Sequence, residues 1–110
     1  MVDIKTFRQI ALSFPGTSEQ PHFEKISFRA GKKIFATYDE KNKRACLKLS
    51  SIDQNVFCLF DKSIIYPVPN KWGAQGWTLI EMKRIKKPMF IDALTAAWNE
   101  VAPPKLKSSV

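Results

Sequence analysis

Residues that ligate metals or act as nucleophiles are scarce in this chain: among 110 residues there is one histidine, His22, and there are two cysteines, Cys46 and Cys58. Two thiols without a second Cys or His close by cannot complete the four-ligand Cys/His zinc site. That excludes a metal-cage minidomain, and neither a metal nor any other cofactor is expected. A single disulfide is open to the two thiols. However, the opening Met1-Val2-Asp3-Ile4 carries an acid and no long apolar stretch, unlike a secretory signal. The reducing cytoplasm, where both would stay thiols, is the expected compartment. Their neighbours in Ala45-Cys46-Leu47 and Phe57-Cys58-Leu59 are apolar, the setting of a buried and inert thiol. Nothing in the spacing argues for a Cys–His nucleophile pair, so no catalytic residue is assigned and an enzyme is not expected. Long apolar runs are also missing. None approaches the ~20 residues of a membrane span. Gly73 and Gly76 lack the Lys-Ser/Thr that follows a phosphate loop. Acids are few, 10 against 18 Lys and Arg, which leaves a net charge of +8.

What the chain does have is apolar mass: 45% of residues are hydrophobic and 12% aromatic, too much for a disordered polymer. Its length suits a single domain, and at this size about two-thirds of the surface is buried on folding. Ile4, Phe7, Ile10, Ala11 and Phe14 recur at helical spacing over 3–14, with Asp3 as N-cap and Phe14-Pro15-Gly16 as the stop. Residues 17–24 read as a polar connector, with room for one helical turn. Three alternating runs follow at 26–30, 33–39 and 44–49, joined by Gly31-Lys32 and by the polar turn 40–43. These are the marks of an antiparallel meander. In the second run Ile34, Ala36 and Tyr38 are expected on one side and Phe35 and Thr37 on the other. In the third, Ala45, Leu47 and Leu49 face inward and Arg44, Cys46 and Lys48 face solvent. Ser51-x-x-Gln54 has the form of a capping box before a helix whose face is Ile52, Val56, Phe57 and Phe60. Residues 64–68 are a short strand or extended piece, placed at an edge by proline. Trp77–Met82 is a strand. Pro88 opens a last helix with Ile91, Leu94, Trp98 and Val101 on one face. The expected fold is α+β, an antiparallel twisted sheet of about five strands with helices packed on one face. It forms a single domain over 1–104, with 105–110 a disordered tail.

Charge is unevenly placed. Residues 25–48 hold eight Lys and Arg against Asp39 and Glu40, so +6 of the total +8 falls on the expected strands and turns. A second cluster is Lys83, Arg84, Lys86 and Lys87. Residues at turns, such as Lys32 and Lys43, would project freely. A basic sheet face with protruding turns can follow a phosphate backbone, with binding that falls steeply with salt. The plainer alternative is a wet face kept soluble by lysine, which also blocks edge-to-edge aggregation. No helix-turn-helix and no RNP-type aromatic run is present, so sequence-specific readout has no support. Trp72 and Trp77 bracket the loop Trp72-Gly73-Ala74-Gln75-Gly76-Trp77. Trp77 and Trp98 are expected in the core, whereas Trp72 is free to stack on a base or hold a ligand. Glu19 and His22, three apart, are expected to form a structural polar pair.

Several strings, in this order, carry a resemblance. They are Phe14-Pro15-Gly16-Thr17-Ser18-Glu19, Pro21-His22-Phe23, Ser27-Phe28-Arg29 with Gly31-Lys32-Lys33-Ile34-Phe35-Ala36, Leu47-Lys48-Leu49-Ser50, Gly76-Trp77 and the terminal Ala97-Trp98 helix. Over about residues 4–104 the chain resembles the MmcQ/YjbR family. The last helix has Ala97-Trp98 where relatives often have Ala-Tyr. The resemblance implies a CyaY/frataxin-like α+β sandwich with a double-wing DNA-binding motif that would recognise DNA by shape, and it implies no enzyme activity. Iron binding, which the frataxin likeness suggests, does not transfer. Such sites need carboxylates on the first helix and edge strand, and residues 1–18 contain only Asp3.

The leading expectation is a cytoplasmic DNA-binding domain without sequence preference. It would hold phosphates through Arg29, Lys32, Lys33, Lys43, Arg44 and Lys48, with Lys83, Arg84 and Lys86 as a second zone. The alternative is a protein-interaction or small-ligand module using His22, Phe23 and Trp72.

Overall fold

The computed structural model describes residues 1–107. Along the chain come α1 (Ile4–Ser13), β1 (Thr17–His22), β2 (Lys25–Ala30), β3 (Lys33–Asp39), β4 (Arg44–Lys48) and α2 (Ser51–Cys58). They are followed by β5 (Ile65–Pro67), α3 (Lys71–Ala74), β6 (Trp77–Glu81), α4 (Lys87–Val101) and α5 (Pro104–Lys107). Among the described residues the strands form one six-stranded sheet in the order β1-β2-β3-β4-β6-β5, with every neighbouring pair antiparallel. The α+β architecture is the expected one, with one strand more.

Local chemistry sets most of these elements. Asp3 caps α1 by accepting from the Thr6 amide at 2.8 Å, and Phe7 and Ala11 on its inner stripe are buried. Pro88 lies in the first turn of α4, whose buried residues are Phe90, Ala93, Leu94, Ala97 and Trp98. The core lies between these helices and one face of the sheet. Phe7 stacks on Phe28 with ring centroids 4.9 Å apart and meets Phe90 edge-on at 4.9 Å. Phe14 stacks on Trp98 at 5.8 Å, and the Trp98 indole N–H donates to the Pro15 carbonyl. In β4, Ala45 and Leu47 are buried and Arg44, Cys46 and Lys48 lie on the other side, as alternation requires.

The structure departs from the sequence reading in several elements. Thr17–His22 is not a connector but β1, paired with β2 over its whole length. It is an edge strand, so its polar residues meet water and the alternation signal is missing. In β3, Phe28 pairs with Ala36 and Arg29 with Ile34, which leaves Phe35 as the extra residue of a bulge. The bulge turns Phe35 and Ala36 both into the core and puts Ile34 on the opposite face. The third departure is α2. Its N-cap is Ser50, whose hydroxyl accepts from the Asp53 amide, one residue before the Ser51 expected. Of its expected face only Phe57 packs against the core, partly buried; Ile52 is 74% exposed, Val56 and Phe60 are exposed as well, and so is the neighbouring Leu59. The buried residue is Gln54, whose amide donates to the Gly73 and Trp77 carbonyls and the Thr78 hydroxyl. A fixed polar network in a dry place sets the rotation of this short helix more strongly than its apolar pattern does. Finally, residues 105–107, read as the start of a disordered tail, belong to the helical turn α5. There Leu106 packs over Gly16. Residues 108–110 lie outside the described residues.

Candidate functional site

The helices leave one face of the sheet uncovered, and this face carries a groove of about 630 Å³. Its floor is made by side chains that alternate away from the core: Ile34 and Thr37 from β3, Cys46 from β4 and Leu79 from β6. One wall is the loop between β5 and β6, which contributes Val68 and Trp72, together with Trp77 at the start of β6. At the other end stand His22 and Lys25, either side of the β1–β2 turn, with Asp39 and Arg44 beside them. Strand pairing explains the meeting. Lys25 faces His22 across β1–β2, Asp39 faces Arg44 across β3–β4, and Arg44 faces Glu81 across β4–β6.

Two exposed aromatics belong to this region: Trp72 lines the groove, and Phe23 adjoins its lining residue His22. Phe23, at the tip of the β1–β2 hairpin, is 95% exposed and holds φ at +58°. That backbone region is unfavourable for a bulky residue. The Phe23 ring stands edge-on to His22 at 4.9 Å. Trp72 is 49% exposed, and the Lys71 ammonium lies 5.6 Å from its ring centre. Asn70 caps α3 from below by accepting from the Trp72 amide.

The cations named from sequence do not form one surface. Arg44 and Lys48 lie on the open face, and alternation along β2 puts Arg29 there too. The Arg29 Nε is buried without a hydrogen-bond partner. Lys32 and Lys33 sit at the β2–β3 turn. Lys33 pairs with Ala30, which places it on the helix side of the sheet. Lys43 sits at the far end of β3, roughly 23 Å away at the rise of a strand. Lys83, Arg84 and Lys86 follow β6 at that same end, where the Met82 amide donates to the Lys43 carbonyl.

Four of the named cations are already engaged. Lys43 does not project freely from its turn but pairs with Glu40 at 2.6 Å, and that carboxylate raises the lysine's pKa. Arg44 pairs with Glu81 at 2.9 Å, which holds its guanidinium above the usual range. Glu81 also accepts from the Tyr66 hydroxyl. The Lys48 ammonium donates to the Gln75 carbonyl. Arg84 donates weakly to the Ser63 carbonyl at 3.4 Å. The expected Glu19–His22 pair does not form, because Glu19 pairs with Arg8 of α1 at 2.5 Å.

Sequence reasoning missed Lys25, Trp77 and Lys71 as parts of this site. With β1 read as a connector, no register placed Lys25 opposite His22. Trp77, expected in the core, is half-buried on the open side, opposite Lys48. Among the described residues no cluster of His, Cys, Asp and Glu could hold a metal ion, and no helix is long and apolar enough to cross a membrane. Burial pushes the Cys46 thiol up to about 11 and raises that of Cys58. At pH 8 a rise of this size from 9 cuts the thiolate population of Cys46 about a hundredfold. Iodoacetamide labelling of Cys46 in the folded protein should therefore be slower than that of a free thiol by about that factor. Labelling at the free-thiol rate would show that burial does not suppress the Cys46 thiolate, and faster labelling would show an activated cysteine.

A family model described as YjbR matches residues 12–100. No curated protein matches the chain. Among solved structures, the crystal structure of the Deinococcus radiodurans protein DR2400, with family-model domain DUF419, superposes with a TM-score of 0.79. It is 16% identical, and the match covers 99% of this chain and 88% of that one. At that identity the likeness speaks to the fold.

Proposed function

The chain belongs to the YjbR family, and from that premise we propose that it is a nucleic-acid-binding domain. It would hold phosphates from the open side of its sheet and from the two turns, β1–β2 and β3–β4, that flank that side at one end. The reading rests above all on the uncovered, grooved sheet face with cations on its rim, in a chain of net charge +8. Helices seal the other face, so this is where a long polyanion can lie flat. Among the described residues the ion pairs engage Arg8, Lys43 and Arg44. Lys25, Lys32, Lys83 and Lys86 are not among them and keep their charge; of these Lys25 lines the groove itself, whereas Lys33, on the helix side, is not counted. The domain acts by binding, in the cytoplasm, with no catalytic residue assigned, and without base-specific readout.

The internal pairing lowers the expected salt dependence. A cation already held by a carboxylate or a carbonyl neutralises a phosphate only by giving up that partner, so Lys43, Arg44 and Lys48 contribute less than their number suggests. With about three or four effective contacts, the log–log dependence of affinity on salt should have a slope of roughly −2 to −4. Anisotropy titrations of labelled oligonucleotides between 50 and 200 mM salt, roughly the range over which such binding collapses, measure it. Heparin of matched charge serves as the competitor. A slope near zero, or heparin binding as tightly as every nucleic acid tried, overturns the proposal.

A further inference from the structure

We propose that the groove receives unpaired nucleobases, so that the preferred partner is single-stranded rather than duplex nucleic acid. This rests on the nucleic-acid reading above and narrows it to one class of partner. In a duplex the bases are stacked inside and cannot reach the floor of a groove in a sheet. In a single strand each base offers a flat apolar face that can.

Three features of the groove fit that occupant. The first is the position of its exposed aromatics. Phe23 is presented almost wholly to solvent from the tip of its hairpin, and Trp72 stands half-exposed on the opposite wall. Trp72 lines the groove itself, and Phe23 stands against its lining residue His22, within reach of a strand that overhangs that end. The second is the floor. Ile34, Cys46 and Leu79 give it an apolar surface, which suits base faces and does nothing for a phosphate. The third is charge. Within the groove Arg44 is balanced by Glu81. Lys25 stands at one end and Lys71 beside Trp72 at the other, against the single carboxylate of Asp39. Positive charge therefore sits at the rim beside the aromatics, while the floor stays neutral. A groove that tracks a backbone electrostatically and stacks bases on aromatic side chains is how single strands are bound without regard to sequence.

The backbone at Phe23 points the same way. Glycine or asparagine would occupy φ +58° with less strain. A bulky ring there is held in an unfavourable conformation while burying almost nothing of its own. Its removal should therefore leave stability unchanged or slightly higher, which separates a binding role from a structural one.

The test uses the full chain with fluorescein-labelled oligo(dT) of about a dozen nucleotides, a duplex of the same length, an abasic deoxyribose-phosphate oligomer and heparin. Oligo(dT) should bind at least tenfold tighter than the duplex or the abasic oligomer. Trp72→Ala and Phe23→Gly should each weaken oligo(dT) binding about tenfold, the middle of the range for loss of one stacked base, while duplex affinity stays as in the parent and thermal melting does not fall. Trp72→Phe should restore most of the loss. Duplex binding equal to or tighter than oligo(dT), or abasic oligomer binding as well as oligo(dT), overturns this inference and leaves the broader reading standing. So do unchanged oligo(dT) affinities in both variants. Equal binding of all four probes, heparin included, overturns both.

Discussion

Replacing Gly76 with alanine should destabilise the protein by about 3 kcal/mol or more, in the range reserved for backbone strain combined with steric overlap. Gly76 has φ +106°, a conformation that L-residues with a side chain rarely adopt. A Cβ built there would lie 2.0 Å from the Leu49 carbonyl oxygen and 3.0 Å from the Lys48 ammonium. The lysine could move but the carbonyl could not. The Gly76 carbonyl itself accepts from the Leu49 amide at 2.9 Å and from the Thr78 hydroxyl at 3.0 Å. The two backbone segments are thus tied together at the point where the methyl group must enter. Gly31 is the control. It also has positive φ, +65°, but its Cβ would meet only Pro103, at ordinary van der Waals distance. Gly31→Ala should cost about 1 to 2 kcal/mol, the strain alone. Urea denaturation midpoints at constant m-value give both numbers. Equal losses for the two would show that the overlap at Gly76 relaxes. The difference bears on the groove as well, because the Gly76 corner carries Trp72 on one side and Trp77 on the other.

That corner marks the limit of what could be read in advance. Amphipathic spacing names α1 and α4, alternation names β2 and β4 and marks β3 without its bulge, β-forming residues name β6, and proline places β5 at an edge. β1 has no such signal. Thr17–His22 is a polar edge strand containing Pro21, and its pairing is made by backbone groups that every residue shares. α2 misleads in the opposite sense, since Gln54 finds its partners 19 to 24 residues along the chain, beyond any local pattern. The site follows the same division. Arg44, His22 and Trp72 stand out by residue type, but their meeting in one groove depends on β1 being a strand. The quenching of Arg44 depends on Glu81, 37 residues away. A run of lysines in the sequence likewise says nothing about direction: Lys32 and Lys43 end up at opposite ends of the sheet.

The second large effect is expected on the sealed side. Phe7→Ala should cost about 3 to 5 kcal/mol, the usual loss for a large aromatic deleted from a packed core and a considerable fraction of the 5 to 15 kcal/mol that holds a domain folded. Phe7 is fully buried. Its ring touches three others: Phe28 face to face, and Phe90 and Tyr38 edge-on, the last at 5.9 Å. It joins α1 to both the sheet and α4, so no single element can move in to fill the space. Phe7→Leu keeps most of the volume and should lose only about 1 to 1.5 kcal/mol. Both are measured by urea denaturation, and a loss below 1 kcal/mol for alanine would show that the helices collapse onto the gap. The ring lies on the face opposite the groove. In buffer where the variant is still mostly folded, its affinity for an oligonucleotide, corrected for the folded fraction, should therefore equal the parent's. A Trp72→Ala variant should show the reverse, parent-like stability with weakened binding. The two variants together test whether one face of this sheet carries the stability and the other the contact with a partner.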